Sequence, residues 1–293
     1  MAVRSAVKRS AGAAVATGAL AAAYMLFESQ WVDLREEDLA VPGLPEGLTG
    51  LSVLHISDVH AAQPSLNLVA LAKVVRWAEA RRPDLVVLTG DIVDGGLGSD
   101  TCLRQLSRLR PPLGIFAVPG NHEYGLSKNP LRNARADRAR DALGRVRFLR
   151  DECVLLRGPK EGPMLAVCGA DYITRGYGLL NGSAPITADA FPLLITHRPP
   201  TGDDPLLENF PLVFAGHTHG GQIRMPTPWG MVALHREALP FTEGIHRFNR
   251  SVLVISRGVG CTFLPFRLFC RPEAVIHRLR PAESGDVLRR GRQ

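Results

Sequence analysis

The sequence predicts an α/β fold whose second half is mostly sheet, preceded by a membrane segment. Short apolar runs of strand length recur along the chain, and apolar residues at helical spacing separate the early runs but few of the later ones. With 293 residues, of which 45% are hydrophobic, the chain is long enough for one large domain or two small ones. This composition excludes a disordered or collagen-like protein.

The N-terminal segment, residues 1–30, predicts membrane targeting. A basic start precedes an uncharged, alanine-rich stretch of 17 residues from Ala11 to Phe27. This length is at the lower limit for crossing a bilayer and slightly long for a signal-peptide core. Two interpretations stay open: a signal peptide cleaved near Ala23, which would give a secreted protein, or an uncleaved anchor, which Tyr24 and Trp31 favour as interfacial residues.

The charges on either side of this segment predict its orientation. The basic residues before it are Arg4, Lys8 and Arg9, and the acidic residues after it are Glu28, Asp33, Glu36, Glu37 and Asp38. The positive-inside rule then keeps the N-terminus in the cytoplasm and places the rest of the chain outside.

The first half of the remaining chain alternates strands and helices. The predicted strands are Ser52 to Ser57, Asp84 to Thr89 and Ile115 to Val118, and the predicted helices cover Leu66 to Ala78, Leu103 to Leu109 and Pro130 to Leu143. Proline at the start of the third helix suits a first helical turn.

Five further strands follow with little helix between them. They are Met164 to Gly169, Leu193 to Thr196, Leu212 to Ala215, Val252 to Ser256 and Ala274 to Leu279. We expect one domain over residues 31–280 and a basic, disordered tail over residues 281–293.

Charge and cysteine content restrict the function. The formal net charge is +7, but the basic excess lies mainly at the two ends, so the nearly neutral body predicts no specific nucleic-acid binding. The five cysteines are widely spaced and form no C-x-x-C pair, which argues against a disulfide framework or a thiolate zinc site. Cys168 and Cys261 are better interpreted as small buried apolar residues than as nucleophiles.

Metal-compatible side chains follow five of the predicted strands. In chain order they are Asp58 and His60, Asp91 and Asp94, Asn121 and His122, His197, and His217 and His219. Ligands of open α/β sheets bind at the carboxyl ends of strands, so these distant residues are predicted to converge there.

Asp, His and Asn ligands without cysteine favour Mn²⁺, Fe or Zn²⁺. Even seven of these side chains would be too many ligands for one tetrahedral ion. Two ions that share a carboxylate would use them economically and would promote in-line displacement at phosphorus.

The same residues carry a resemblance to a known family. The ordered blocks are Asp58-x-His60, Gly90-Asp91, Gly120-Asn121-His122-Glu123, His197 and Gly216-His217-x-His219. Together they resemble the calcineurin-like metallophosphoesterase superfamily. Three further segments resemble its exported or membrane-anchored bacterial phosphodiesterases: Gly43-Leu44-Pro45, Gly220-Gly221-Gln222-Ile223 and Ser256-Arg257-Gly258-Val259-Gly260. The resemblance covers roughly Pro42 to Leu279.

This resemblance implies a four-layer sandwich of two mixed sheets flanked by helices, with a dinuclear centre at one edge. Asp58, His60 and His219 would hold one ion, Asn121, His197 and His217 the other, and Asp91 would bridge them. A hydroxide between the metals would attack phosphorus.

The resemblance also implies two catalytic roles beside the metals. His122 would protonate the leaving oxygen, and Asp94 would orient His122. Asp94 equally suits a helix cap or a turn, so the sequence leaves its role open.

Departures from the family pattern restrict the substrate class. Phosphoprotein phosphatases of the superfamily carry Arg-Gly where this chain has Gly95-Gly96, and another arginine where it has Pro119. The two missing arginines argue against protein dephosphorylation and favour phosphodiesters or small phosphoesters. A lipid-linked nucleotide pyrophosphatase or a phospholipid headgroup phosphodiesterase is the alternative enzyme, and a membrane-attached metal-binding scaffold is the alternative without catalysis. A nuclease is disfavoured because the body lacks an extended basic groove.

Overall fold

The computed structural model describes residues 2–62, 65–94, 98–126, 142–143, 145–158, 162–180, 186–187, 189–228, 230–233 and 240–283. Its helices are α1 (Ala2–Gln30), α2 (Leu66–Arg81), α3 (Gly98–Leu106) and α4 (Pro205–Asn209). Its strands are β1 (Asp33–Val41), β2 (Ser52–Ile56), β3 (Leu85–Leu88), β4 (Ile115–Ala117), β5 (Ala142–Leu143), β6 (Val146–Phe148), β7 (Glu152–Arg157), β8 (Met164–Gly169), β9 (Ala190–Ile195), β10 (Leu212–Ala215), β11 (Arg224–Thr227), β12 (Gly230–Ala233), β13 (Gly244–Arg247), β14 (Val252–Ile255) and β15 (Glu273–Pro281).

Two mixed sheets form the body of the protein. The first has the strand order β1-β15-β2-β3-β4-β6-β5, and the second has the order β13-β14-β10-β9-β8-β7. In the first sheet β2, β3 and β4 are parallel neighbours, and in the second β9 and β10 are. Because parallel neighbours end on the same side, the segments that follow them meet at one edge of each sheet.

Buried apolar side chains form three hydrophobic cores, which separate four layers of helices and sheets. Leu85 and Val87 of β3 face Leu193 and Phe214 of the second sheet in the central core. The outer face of the first sheet packs against α2 and α3, and the outer face of the second packs against α4. The four-layer sandwich of two mixed sheets flanked by helices is thereby confirmed.

Helix α1 precedes this sandwich. Within the described residues, Gly12–Gln30 is one helical stretch with enough length and apolar composition to cross a membrane. Most side chains from Gly12 to Gln30 are exposed, and the stretch from Met25 to Gln30 contacts the domain.

The structure corrects the predicted secondary structure in several places. Ala142–Leu143, expected to end a helix, is strand β5 and pairs antiparallel with β6, while residues 127–141 lie outside the described residues. Strand β1 was not predicted, because its acidic residues hide the pattern; it pairs parallel with β15. Strand β15 continues to Pro281, so the segment 281–293 begins inside it, and residues 284–293 lie outside the described part.

A disulfide also corrects the interpretation of the cysteines. Cys153 of β7 and Cys168 of β8 lie directly opposite each other and form a disulfide. Their separation of 15 residues carries no sequence signal, because only the hairpin register brings them together. Cys168 is therefore buried as expected, but it is not a simple apolar residue; Cys102, Cys261 and Cys270 are free and buried.

Candidate metal centre

The structure brings all nine predicted site residues to one edge of the two sheets. Asp58 and His60 follow β2, Asp91 and Asp94 follow β3, and Asn121 and His122 follow β4. His197 follows β9, and His217 and His219 follow β10. The first sheet thus contributes six side chains and the second contributes three.

One group consists of Asp58, His60 and His219, and all three side chains are buried. The Nε2 atoms of His60 and His219 lie 3.0 Å apart, although β2 and β10 belong to different sheets. Asp58 Oδ1 lies 3.4 Å from His219 Nε2 and 4.0 Å from His60 Nε2. One carboxylate oxygen and two imidazole nitrogens therefore surround a common point.

A second group surrounds His197. Its Nε2 lies 3.0 Å from Nδ1 of His217, 3.1 Å from Oδ1 of Asn121 and 3.3 Å from Oδ2 of Asp91. The other ring nitrogen, Nδ1, donates to the carbonyl of Thr89 at 2.7 Å. Because Nδ1 carries the proton in the neutral ring, Nε2 presents its lone pair to the other three residues.

Asp91 lies between the two groups. Its Oδ2 is 3.3 Å from His197 Nε2 in the second group and 3.7 Å from His60 Nε2 in the first. Burial opposes ionisation, but His197 and His122 hold the pKa of the Asp91 carboxyl well below its usual range. The same carboxylate, helped by Asp58, overcomes the effect of burial on His197 and raises the pKa of that imidazole to about 10, so its Nε2 attracts a positive charge, either a proton or a metal ion in place of the proton.

His122 and Asp94 form a pair beside these groups. His122 Nδ1 lies 2.5 Å from Asp94 Oδ1, and both side chains are buried. The opposite ring nitrogen, Nε2, lies 3.8 Å from Asp91 Oδ2 and therefore faces the site. A carboxylate can only accept from Nδ1, so the pair fixes the orientation of the ring.

The backbone around the site is strained. Five of the seven candidate ligands adopt left-handed conformations, with φ between 47° and 73°: Asp58, His60, Asp91, His217 and His219. Such conformations are uncommon outside glycine and concentrate at functional sites. Gly216, just before His217, is required by a close approach, because a Cβ there would overlap Ser57 Oγ and Asp58 Oδ2.

Glu123 supports the site from behind. Its buried carboxylate accepts from the backbone N–H groups of Gly120, Asp91, Ile92 and Val93 at 2.7–3.0 Å. It therefore holds the segment after β3 against the segment after β4. The sequence showed Glu123 only as part of a block, and its contacts assign it this positioning role.

Arg267 supports the site from the other side, and no sequence pattern indicated it. The side chain is fully buried and donates to backbone carbonyls of His219, Cys270, Arg257, Gly258 and Gly260. The segment from Gly258 to Gly260 packs in turn on Asp58, since Gly260 N donates to Asp58 O at 2.8 Å. Arg267 thus joins the backbones of two candidate ligands.

A buried polar chain and an aromatic ring complete the surroundings. Ser57 donates to Asp58, Thr89 donates to Ser57, and His55 Nε2 lies 2.9 Å from Thr89 Oγ1. On the other side, the Tyr172 ring lies edge-on to His197 with centroids 5.8 Å apart.

The donor set fits divalent metal ions. Around His197 a lone pair faces two oxygen acceptors, and around His219 burial and the neighbouring His60 and Arg267 hold the pKa of the imidazole well below 6.5. Lone pairs and carboxylate oxygens that face one another repel, and a cation between them removes this repulsion. Neutral imidazoles with carboxylates are ligands of Mn²⁺, Fe and Zn²⁺.

Comparison with known proteins agrees with this site. The sequence profile of the calcineurin-like phosphoesterase family matches residues 51–221, more than half of the chain. All nine site residues lie within that range. The chain belongs to the calcineurin-like phosphoesterase family.

Similarity to individual members extends beyond the family profile. YkuE of Bacillus subtilis (strain 168), an uncharacterized metallophosphoesterase, is 27% identical over 282 residues, which cover 92% of this chain and 93% of YkuE. Phosphodiesterase YaeI of Escherichia coli (strain K12) is 26% identical over 259 residues, which cover 86% of this chain and 90% of YaeI. A transmembrane protein with metallophosphoesterase domain from Danio rerio is 25% identical over 283 residues, which cover 89% of this chain and 60% of that protein.

This calcineurin-like phosphoesterase is a metal-dependent hydrolase of phosphoesters, because family membership coincides with buried Asp and His groups that could hold metal ions. Helix α1 and the similarity to a transmembrane family member indicate association with a membrane.

Proposed function

We propose that the protein is a phosphodiesterase with a dinuclear metal centre. The observation that carries this proposal is the position of Asp91, whose Oδ2 contacts His60 of one ligand group and His197 of the other. Asp58, His60 and His219 would hold one ion, Asn121, His197 and His217 would hold the second, and Asp91 would bridge both. Two cations in this position supply Lewis acidity that activates water and neutralises charge on the phosphoryl group.

The protein's own proton donor would be His122. Its Nε2 faces the site, while Asp94 accepts from Nδ1 and keeps the ring in this orientation. A ring nitrogen of imidazole can donate a proton, so Nε2 suits proton transfer to the leaving oxygen of the ester. Asp94 then acts as a positioning residue, and its buried carboxylate stabilises the imidazolium before the proton is given up.

Phosphodiesters are the proposed substrate class. The chain has Gly95 and Pro119 at the two positions where phosphoprotein phosphatases carry arginines, so these positions lack the charges that would grip a doubly ionised monoester. Similarity to a protein named phosphodiesterase supports the same class.

The proposed topology places the catalytic domain outside the cytoplasm. The basic residues lie before the apolar part of α1 and the acidic ones follow it, as the positive-inside rule requires. The Cys153–Cys168 disulfide supports this orientation, because disulfides persist in oxidising compartments.

Metal reconstitution tests the proposal. The full chain is purified in detergent, stripped of metal and reloaded with Mn²⁺, Fe²⁺, Zn²⁺ or Mg²⁺, and hydrolysis of bis(p-nitrophenyl) phosphate and p-nitrophenyl phosphate is measured together with bound metal. We expect activity to return with two ions per chain and to favour the diester. Full activity with a single ion per chain would refute the dinuclear centre, and preference for the monoester would refute the substrate class.

A further inference from the structure

An apolar loop projects from the domain beside the metal centre. Its exposed side chains, which we name the apolar rim, are Phe263, Leu264 and Phe269, with 48%, 54% and 52% of their surfaces exposed. Among residues 262–270 the one charged side chain is Arg267, which is fully buried. The loop therefore presents an uncharged surface, and adjoining exposed apolar residues of this kind mark an interaction site.

The backbone of the rim is strained. Phe263 and Phe269 adopt left-handed conformations with φ of 59° and 51°. For bulky residues such conformations are outliers, and they persist only where the surrounding structure imposes them. Here the strain holds two aromatic rings outward rather than in a core, so their exposure is not explained by folding.

The rim is attached to the end of α1. The buried Glu28 carboxylate accepts from Phe269 N at 3.1 Å and from Cys270 N at 2.6 Å, and Arg267 N donates to Met25 O at 3.2 Å. The aromatic residues of α1 and its exit are exposed as well, since Phe27 shows 59% of its surface and Trp31 shows 48%. The segment that carries the rim therefore adjoins the end of the candidate membrane helix, and both expose apolar side chains.

We propose that the apolar rim inserts into the interfacial layer of the bilayer that α1 enters. The contact of its segment with a helix that can cross a membrane favours lipid over a second copy of the chain as the occupant, and aromatic residues are enriched at membrane interfaces. Arg271, whose guanidinium lies 4.1 Å from the Trp31 ring centroid, provides a cation at the level of the headgroups.

This insertion would place the metal centre beside the lipid headgroups. The Gln222 amide donates to carbonyls of Thr262 and Leu264 at 3.0 and 3.3 Å, and Cys270 Sγ lies 3.3 Å from His219 O. The rim is thus bonded to the segment that carries a candidate ligand. This step rests on the proposed phosphodiesterase function. With the rim inserted, the metal centre would lie at the level of the headgroups, and its preferred substrates would be phosphodiesters presented at a lipid surface.

Fluorescence quenching in membranes tests the insertion without depending on catalysis. The full chain carrying Phe263→Trp or Leu264→Trp is reconstituted into phosphatidylcholine and phosphatidylglycerol vesicles with lipids brominated on the upper acyl chain. Asn249→Trp is the matched control, because Asn249 is exposed at the opposite end of β14 from the site. The signal of each added tryptophan is the difference from the parent chain, and far-UV circular dichroism verifies folding.

We expect brominated lipid to quench the added fluorescence at positions 263 and 264 and to leave it unchanged at 249. Equal quenching at all three positions, or none at the rim, would overturn the proposal. A blue shift of the fluorescence at positions 263 and 264 that grows with protein concentration, without quenching by brominated lipid, would instead assign the surface to a second copy of the chain. Any of these results is independent of whether the metal-loaded protein hydrolyses diesters, so failure here is separable from failure of the proposed function.

Discussion

His122 and Asp94, which follow neighbouring parallel strands, lie 2.5 Å apart between Nδ1 and Oδ1 and are both buried at the edge of the first sheet. A carboxylate bonded to one ring nitrogen fixes the orientation of the imidazole and leaves the opposite nitrogen for other contacts. Here that nitrogen is Nε2, which points towards Asp91.

The first prediction concerns the leaving group. If His122 protonates the leaving oxygen, His122→Ala should slow hydrolysis of a poorly leaving phenyl diester by about 10²–10⁴-fold, and that of the p-nitrophenyl analogue much less, because p-nitrophenolate needs little protonation. Asp94→Ala should show the same selectivity at about 10–100-fold. The measurement is kcat on the two diesters with metal content held equal; equal losses on both would contradict proton donation.

The second prediction concerns the shared carboxylate. Asp91→Asn should lower metal content below two ions per chain and reduce activity by more than the roughly 100-fold that loss of an outer partner costs, because both groups lose a charged oxygen. Asp203→Asn, at an exposed loop position, is the control and should retain both ions. Metal analysis and kcat on bis(p-nitrophenyl) phosphate decide it, and an Asp91→Asn protein with two ions and full turnover would remove Asp91 from the site.

The third prediction concerns the buried guanidinium. Arg267→Met should lower the free energy of unfolding by about 3 kcal/mol or more, since several buried carbonyls lose their donor at once. Arg267→Lys keeps the charge but not the planar fork and should recover only part of this loss. Urea denaturation of the three proteins measures the difference, and a change below about 1 kcal/mol for Arg267→Met would show that water replaces the lost bonds.

The fourth prediction concerns the disulfide. Denatured protein prepared from the membrane without reductant should react with a thiol reagent at three cysteines, and reduction should raise the count to five. Opening the loop should cost about 3 kcal/mol of stability, because the bond constrains the unfolded chain. Five reactive thiols before reduction would contradict both the bond and the proposed oxidising location.

Several features could be predicted from the sequence because their cause is local. The runs that became β3, β8 and β10 are continuous apolar segments of strand length, and polar residues follow within two positions of each strand end. Since parallel strands end at a common edge, the convergence of the nine site residues followed from their positions alone. Strand β1 could not be predicted in this way, because its acidic residues interrupt the apolar pattern. Arginines that are distant in sequence neutralise them in the fold, as Arg257 does for Asp33.

The sequence by itself determined the α/β class, the N-terminal apolar segment and which polar side chains lie at the strand ends, because periodicity and strand ends are properties of neighbouring residues. Only the tertiary structure decided that His60 faces His219 across 159 residues, that Cys153 pairs with Cys168 and that a buried Arg267 holds the ligand-bearing backbones. These relationships arise from contacts between separate segments, whose register and burial are set by how the two sheets pack.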